Sequence, residues 1–203
     1  MKKGCLIAVV ITVVVVVIFG IGLYSFVKNT YNSMVTMEED VNQRWAKVEN
    51  VYQRRADLIP NLVEVVKGYA SHERETLEAV TNARSRVGGQ INIGPEVLNN
   101  PQAFAQFQQA QGALTSALQR LMVVVERYPE LKADQRFADL QVQLEGTENR
   151  ISVERGRFNE SVQAFNTAIR QFPANLVAGF FNFEQKVYFK SDEGANKVPE
   201  VKF

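Results

Sequence analysis

Cysteine and histidine are almost absent from this 203-residue sequence, which contains one of each, Cys5 and His72. A single cysteine excludes a disulfide framework within the chain and a thiolate metal cluster. A single histidine excludes a multi-histidine metal site and leaves a nucleophile–base pair only one imidazole. His72-Glu73 begins like a zincin helix, but Thr76 stands where the second histidine ligand would be.

A glycine-rich phosphate loop ending in Lys-Ser or Lys-Thr is also missing, since Gly88-Gly89 stands alone. Carboxylates are plentiful but scattered along the chain. We therefore predict no catalytic residue, no metal site and no cofactor. The protein is predicted not to be an enzyme.

Excess charge of either sign is lacking, with 23 Lys and Arg against 22 Asp and Glu. This balance argues against a nucleic-acid partner, because proteins that bind nucleic acids normally carry an excess of basic charge. Charge is wholly absent from Gly4 to Val27. Without Lys2 and Lys3, the chain carries 21 basic and 22 acidic residues. The sequence is thus one hydrophobic segment joined to one polar, nearly neutral domain.

The apolar run Leu6–Val27 has 22 residues, about 33 Å as a helix, which is enough to cross a bilayer. A cleaved signal peptide would need a shorter run and a small-residue site, for which Gly20 and Gly22 are a weak match. A lipoprotein would carry its cysteine after the run, whereas Cys5 precedes it. We interpret the run as an uncleaved, single-span membrane anchor.

Flanking charge predicts the orientation of this anchor. Lys2 and Lys3 precede the span, whereas Lys28 alone follows it closely. The positive-inside rule then places the N-terminus in the cytoplasm and the domain on the extracytoplasmic side. The absence of cysteine after position 5 agrees with an oxidising compartment.

After the span, apolar residues recur at helical spacing and form a near-heptad seam from about Tyr31 to Val87. Pro60 interrupts this seam without changing its phase, so a continuous helix with a kink is favoured, and a hairpin at Arg54–Pro60 is the alternative. The seam consists of Met34, Val41, Trp45, Val48, Tyr52, Ile59, Leu62, Val66, Tyr69 and Val80.

A loop rich in glycine, asparagine and proline follows from Gly88 to Pro101. Further helices are predicted over Gln102–Tyr128, over Ala133–Phe172 and, in a short form, from Ala174 to about Glu184. No strand-type alternation persists, so the fold class is all-α, an antiparallel bundle of three to four long helices behind one transmembrane helix. The predicted organisation is an anchor at 1–28, a helical bundle at 29–190 and a flexible tail at 191–203.

Polar residues interrupt the apolar seams at Arg55, Glu73, Gln111, Glu148 and Arg155. Such groups inside a bundle must be paired, and they often determine register. Structural pairing is one interpretation, and a ligand or partner site is the other. The candidate cluster is Arg54, Arg55, Asp57, Asn61, Glu148, Asn149, Arg150 and Arg155.

Aromatic residues next to asparagine recur every seven positions in the last long helix. This pattern predicts one core stripe in which each asparagine can bond a neighbouring helix; the stripe is Phe158, Asn159, Phe165, Asn166 and Phe172. A second aromatic group follows at Phe180, Phe181, Phe183, Tyr188 and Phe189. That group either closes one end of the bundle or contacts a membrane surface or a partner.

These stretches resemble the LemA family of bacterial membrane proteins over nearly the whole chain. The resemblance is carried by Tyr52-Gln-Arg-Arg-Ala-Asp-Leu-Ile-Pro-Asn-Leu-Val63, Val66-Lys-Gly-Tyr-Ala-Ser-His-Glu73, Glu148-Asn-Arg-Ile151 and the repeated Phe-Asn pairs. Phenylalanine replaces the tyrosine expected before each asparagine. The resemblance implies an anchor with an antiparallel helical bundle; it carries no agreed enzymatic activity and no catalytic residues to transfer to this chain. A similar domain in a magnetosome-membrane protein implies a membrane-organising role.

Together these observations predict a non-enzymatic scaffold or adaptor, anchored in the bacterial inner membrane, that binds protein partners or copies of itself. The alternative is a membrane-tethered sensor or regulator that binds a ligand through polar residues of the bundle.

Overall fold

The computed structural model describes residues 2–88 and 94–190, with side chains from Ile7 onward. Every regular element in these two ranges is helical, which confirms the all-α class. The elements are α1 (Lys2–Tyr69), α2 (Arg74–Gly88), a 3₁₀ turn (Pro95–Asn99), α3 (Pro101–Val125), α4 (Pro129–Lys132), α5 (Gln135–Arg170) and α6 (Ala174–Phe180).

The first part of α1 is apolar on all sides. From Ile7 to Tyr24, each large apolar side chain is at least 50% exposed, as expected of a segment that faces lipid. Within the described ranges, α1 is the one helix long and apolar enough to cross a membrane. The helix therefore begins with a segment that is long and apolar enough to cross a membrane.

The same helix continues through Pro60, so the hairpin alternative at Arg54–Pro60 is not formed. A bend of its axis at Pro60 stays a prediction. The expectation of one helix as far as Val87 is wrong, because α1 ends at Tyr69. The amide of Glu73 instead donates to the carbonyl of Ala70 (3.1 Å), and α2 begins at Arg74.

Side-chain caps explain where α3 and α5 begin. The Asn100 Oδ1 accepts hydrogen bonds from the amides of Gln102 (3.1 Å) and Ala103 (3.0 Å), and proline fills the first helical position of α3. The Asp134 carboxylate accepts from the amides of Arg136 (2.8 Å) and Phe137 (3.2 Å). These caps satisfy backbone donors that have no partner inside a helix.

Two compact units divide the chain. The anchor unit comprises the described parts of 1–40 and 163–185, and the core unit comprises those of 41–162 and 186–203. In the core unit, small aliphatic residues of α1, α2 and α3 pack with Phe137 and Leu144 of α5. The buried aliphatic set includes Ile59, Leu62, Val66, Val80, Val87, Leu114, Leu121 and Val124.

In the anchor unit, α6 is shorter than predicted. It ends at Phe180 because Asn182 adopts a left-handed conformation (φ 57°). The amide of Phe183 donates to the carbonyl of Ala178 (3.0 Å) and that of Asn182 to Gly179 (3.4 Å), the bonding pattern of a Schellman cap. The predicted tail from Ser191 and the loop residues Gly89 and Asn92 lie outside the described residues.

Candidate functional site

Arg55 of α1 is the centre of a polar cluster inside the core unit. Its side chain is 2% exposed. Nη1 donates to the Glu148 carboxylate of α5 (2.9 Å) and to the Thr115 hydroxyl of α3 (3.1 Å), and Nη2 donates to Gln111 Oε1. The guanidinium carbon also lies 5.1 Å from the centre of the Tyr52 ring. One side chain thus connects three helices through directional bonds.

The Arg55 cluster is incompletely satisfied. Arg55 Nε and Gln111 Nε2 are buried without a hydrogen-bond partner among the described residues. The carboxylate of Glu148 is 39% exposed, so water reaches one side of the ion pair. We therefore expect this buried charge to determine the register of the helices more than it adds to stability.

A groove of about 550 Å³ adjoins this cluster between α3 and α5. Glu148 and Thr115 belong to both, and the floor is apolar, with Leu118, Met122 and Leu144. At the groove edge the Lys132 ammonium and the Glu126 carboxylate are 2.7 Å apart. The arrangement offers an apolar strip bordered by acidic side chains.

The eight residues of the predicted polar cluster are divided among four places. Arg55 and Glu148 meet, whereas Arg54, Asp57 and Asn61 are exposed on α1. The Asp57 carboxylate accepts a hydrogen bond from Gln53 (2.7 Å) on the same helix. These exposed side chains are not among the residues that line the groove.

Asn149 and Arg150 line a second, shallower depression of about 520 Å³ between α1 and α5. Its edge carries basic side chains and one acid, with Arg157 and Glu154 paired at 2.7 Å. The other lining residues are Lys47, Asn50, Val51 and Val153.

Trp45 is the centre of a dry aromatic cluster in the core unit. Its ring lies 5.3–6.1 Å from four phenylalanine rings of α3, α5 and the C-terminal segment; these are Phe104, Phe107, Phe158 and Phe189. Aromatic contacts at these distances add to the energy of burial. Trp45 appears in the sequence only as one member of a heptad seam.

Asn159 and Arg155 hold the C-terminal segment beside this cluster. The Asn159 amide donates to the carbonyl of Phe189 (3.0 Å) and accepts from its N–H (2.9 Å). Arg155 donates to the carbonyl of Lys190 (3.0 Å) and lies over the Phe189 ring (4.8 Å). Asn159 was expected to bond a neighbouring helix, and it bonds an extended segment instead.

The predicted aromatic stripe holds for two of its three phenylalanines. Phe158 and Phe165 are fully buried, and Asn166 is also buried. Phe172 is 81% exposed, so its placement in a core stripe is wrong. Because α5 ends at Arg170, the seven-residue spacing no longer keeps Phe172 on the same helix face.

Glu49 has a perturbed pKa that the sequence does not reveal. Partial burial raises the pKa of this carboxyl to about 7. A hydrogen bond from Trp45 opposes the increase, and the negative charge of Glu96 reinforces it. Glu49 therefore titrates near neutral pH next to the aromatic cluster.

The turn between α1 and α2 contains the remaining candidates. Glu73 accepts from the Tyr128 hydroxyl (3.2 Å) and pairs with Arg127 (3.1 Å). His72 is exposed. Among the described residues, no group of three His, Cys, Asp or Glu is placed to hold a metal ion.

Comparison with known proteins shows which family and which relatives this chain resembles. The LemA family profile matches residues 44–203. Magnetosome protein MamQ of Magnetospirillum gryphiswaldense is 30% identical over 175 residues, covering 78% of this chain and 64% of that protein. MamQ 1 of Paramagnetospirillum magneticum is 28% identical, over 84% of this chain and 68% of its own.

A relative named LemA, from Metamycoplasma hominis, is 23% identical over 87% of this chain and 76% of its own length. The chain therefore spans slightly less than two thirds of the first MamQ relative and more of the others. None of these names denotes an enzyme.

Proposed function

Because this chain belongs to the LemA family, we propose that it is a non-enzymatic, membrane-anchored helical scaffold or adaptor in the bacterial cell envelope. One observation carries the proposal: a single helix, Lys2–Tyr69, contains both the apolar run and the buried seam of the core unit. When the apolar seam of a long helix packs against other helices, the outer faces of all these helices remain available to partners.

The proposed organisation follows the sequence, with an anchor at 1–28, an antiparallel bundle of long helices at 29–190 and a tail at 191–203. We propose that the anchor crosses the inner membrane once and that the bundle lies on the extracytoplasmic side. Two outward valines of α5, Val142 and Val153, are 68% and 51% exposed. Eleven residues apart, they lie on one helix face, which suits contact with a protein partner or a second copy.

Crosslinking in intact cells tests the scaffold proposal. A photo-reactive phenylalanine analogue at Val142 or Val153 is expected to capture defined proteins, identified by mass spectrometry, or a second copy of the chain. The matched control carries the analogue at Gln143, which is exposed on an adjacent face. Light-independent or purely monomeric bands at both valines would contradict the scaffold role.

The side of the membrane is tested by thiol labelling. Cys5→Ser removes the native cysteine, and Ser152→Cys adds one at an exposed position of α5. An impermeant thiol reagent is expected to label this variant in intact cells whose outer barrier has been opened. Labelling only after lysis of the inner membrane would place the domain in the cytoplasm.

A second candidate, a regulator that binds a ligand or partner, is favoured by the groove between α3 and α5. Here Glu145→Lys reverses a charge inside the groove, and Gln143→Lys adds one outside it. A regulatory groove predicts that only Glu145→Lys changes the set of captured proteins. Identical sets in both variants would leave the scaffold as the remaining proposal.

A further inference from the structure

The anchor unit presents a second apolar surface, separate from the membrane-spanning run. It consists of Phe172, Leu176 and Phe180, whose side chains are 81%, 65% and 80% exposed. Leu176 and Phe180, four residues apart, lie on one side of α6, and Phe172 is exposed in the turn that precedes this helix. The opposite side of α6 is buried through Val177 and Ala178. We call the three exposed residues the α6 surface.

Aromatic contacts connect the α6 region to the part of α1 that directly follows the apolar run. Tyr31 lies 4.6 Å from the Phe181 ring and 5.7 Å from the Phe183 ring. Phe183 also contacts Phe165 of α5 (6.2 Å). The Schellman cap at Asn182 turns the chain back, so that Phe183 follows α6 into these contacts.

Distance along α1 places this contact at the edge of a bilayer. Tyr31 is four residues beyond Val27, the end of the apolar run, or about 6 Å along a helix. That is the depth at which aromatic side chains collect in membrane proteins. Because the Tyr31 ring contacts the ring of Phe181, which directly follows α6, the C-terminal end of α6 lies near the same level.

The composition of this segment suits the interface rather than water. From Gln171 to Phe183 there is no charged residue, and Arg170 stands immediately before it. Lys28 and Arg170 are both exposed. Their long side chains can reach phosphate groups while apolar neighbours enter the lipid.

The area of the α6 surface favours lipid over a protein partner. Two phenylalanines and one leucine expose on the order of 500 Å². A stable protein interface needs about 800 Å² on each partner. Three apolar side chains are, however, enough to enter the headgroup region beside an anchor that is already inserted.

We infer that Phe172, Leu176 and Phe180 form a second membrane contact, inserted into the headgroup and upper acyl region of the bilayer that holds α1. The inference rests on the proposed anchoring by Leu6–Val27, and it is independent of the scaffold role. It gives the anchor unit two attachments to the bilayer, which would restrict its rotation and tilt.

Spin labelling of the full chain tests this contact. In a Cys5→Ser background, single cysteines replace Phe180, Leu176, Phe19 or Gln163, and each variant is labelled with a nitroxide in vesicles of phosphatidylcholine and phosphatidylglycerol. Collision rates with oxygen, which enters lipid, and with a water-soluble nickel chelate report depth. Phe19 lies in the span, and Gln163 is an exposed polar position of the same unit.

Labels at Phe180 and Leu176 are expected to show an oxygen-to-nickel ratio several-fold above that at Gln163 and below that at Phe19. Exposure to nickel equal to that at Gln163 would place the α6 surface in water and overturn the inference. Protection from both reagents would indicate a covering protein and would also overturn it. A water-exposed label at Phe19 would instead refute the anchoring itself.

Discussion

Two clusters in the core unit join the same three helices by different means. At Trp45, α1 meets α3 and α5 through aromatic rings 5.3–5.8 Å apart. Ten residues later, at Arg55, α1 meets them through hydrogen bonds and an ion pair. Ring packing is energetically large but tolerant of small rotations, whereas a guanidinium with three acceptors is selective for one register. We therefore expect the Trp45 cluster to contribute mainly stability and the Arg55 cluster mainly specificity of register.

Removal of Trp45 is expected to have the largest effect. Trp45→Ala leaves a cavity among four phenylalanine rings, and a loss of about 3–5 kcal/mol in the free energy of unfolding is expected. Denaturant unfolding of the detergent-solubilised chain, followed by circular dichroism, measures it. Val123→Ala, at a position 66% exposed, should change stability by less than about 0.5 kcal/mol. A loss below about 1 kcal/mol for Trp45→Ala would remove the distinction between the clusters.

At the Arg55 cluster, the loss of stability is expected to depend on which partner of the ion pair is removed. Glu148→Leu leaves a buried guanidinium without its counter-charge and should cost about 3 kcal/mol. Arg55→Leu should cost less, about 1–3 kcal/mol, because Glu148 can be solvated. The double variant should then be more stable than Glu148→Leu alone, which a double-mutant cycle measures. Glu145→Leu, at an exposed neighbouring position in the groove, serves as the control. If the losses of stability in Arg55→Leu and Glu148→Leu simply add in the double variant, the two residues are not coupled.

Glu49 makes the Trp45 cluster sensitive to pH. Its carboxyl has a pKa of about 7 in the folded chain against 4.5 as the ordinary value, so the folded state binds more protons between these pH values. The resulting stability is present below pH 4.5 and is lost as pH rises through 7.

Melting temperatures measured from pH 5 to 8 test this dependence. The native chain should lose on the order of 1 kcal/mol relative to Glu49→Gln across this range, allowing for partial contact with water. Glu96→Gln should reduce the dependence, since the Glu96 charge contributes to the raised pKa. Parallel curves for the native chain and Glu49→Gln would show that Glu49 does not titrate there.

The smallest expected effect concerns the segment that covers the Trp45 cluster. Asn159→Ala removes both hydrogen bonds to the Phe189 backbone, at a cost of about 1 kcal/mol. Amide exchange of residues 186–190 should accelerate while that of α3 is unchanged. Ser152→Ala, exposed on the same helix, is the comparison. Equal exchange in both variants would mean that ring packing alone holds the segment.

Helix identity was readable from the sequence, because the apolar spacing of the seams needs only local chain geometry. The positions at which the helices end were harder to predict from the sequence. The seam from Val66 to Val80 keeps its phase across fourteen residues, which hid the turn at Ala70–Glu73. Asn182 ends α6 through its backbone conformation, and no apolar pattern records that.

The candidate site was only partly readable for the same reason. Arg55 and Glu148 stood out because a charge in an apolar seam needs a partner. Arg54, Asp57 and Asn61 lie within six residues of Arg55 in sequence, but their angular positions around α1 leave them on the surface. Glu49 and the partnership of Asn159 with Phe189 depend on neighbours that are distant in the chain.

The sequence by itself determined the helical class, the membrane-compatible span and the near absence of cysteine and histidine, since composition and periodicity are properties of the chain alone. The resemblance to the LemA family came from specific motifs such as Tyr52–Val63. Only the tertiary structure decided that Arg55 bonds Glu148 and that Phe172 faces outward while Phe165 is buried. It also decided that Glu49 lies where its carboxyl holds a proton near neutral pH. Those outcomes depend on which helix faces meet, and that depends on packing between segments far apart in sequence.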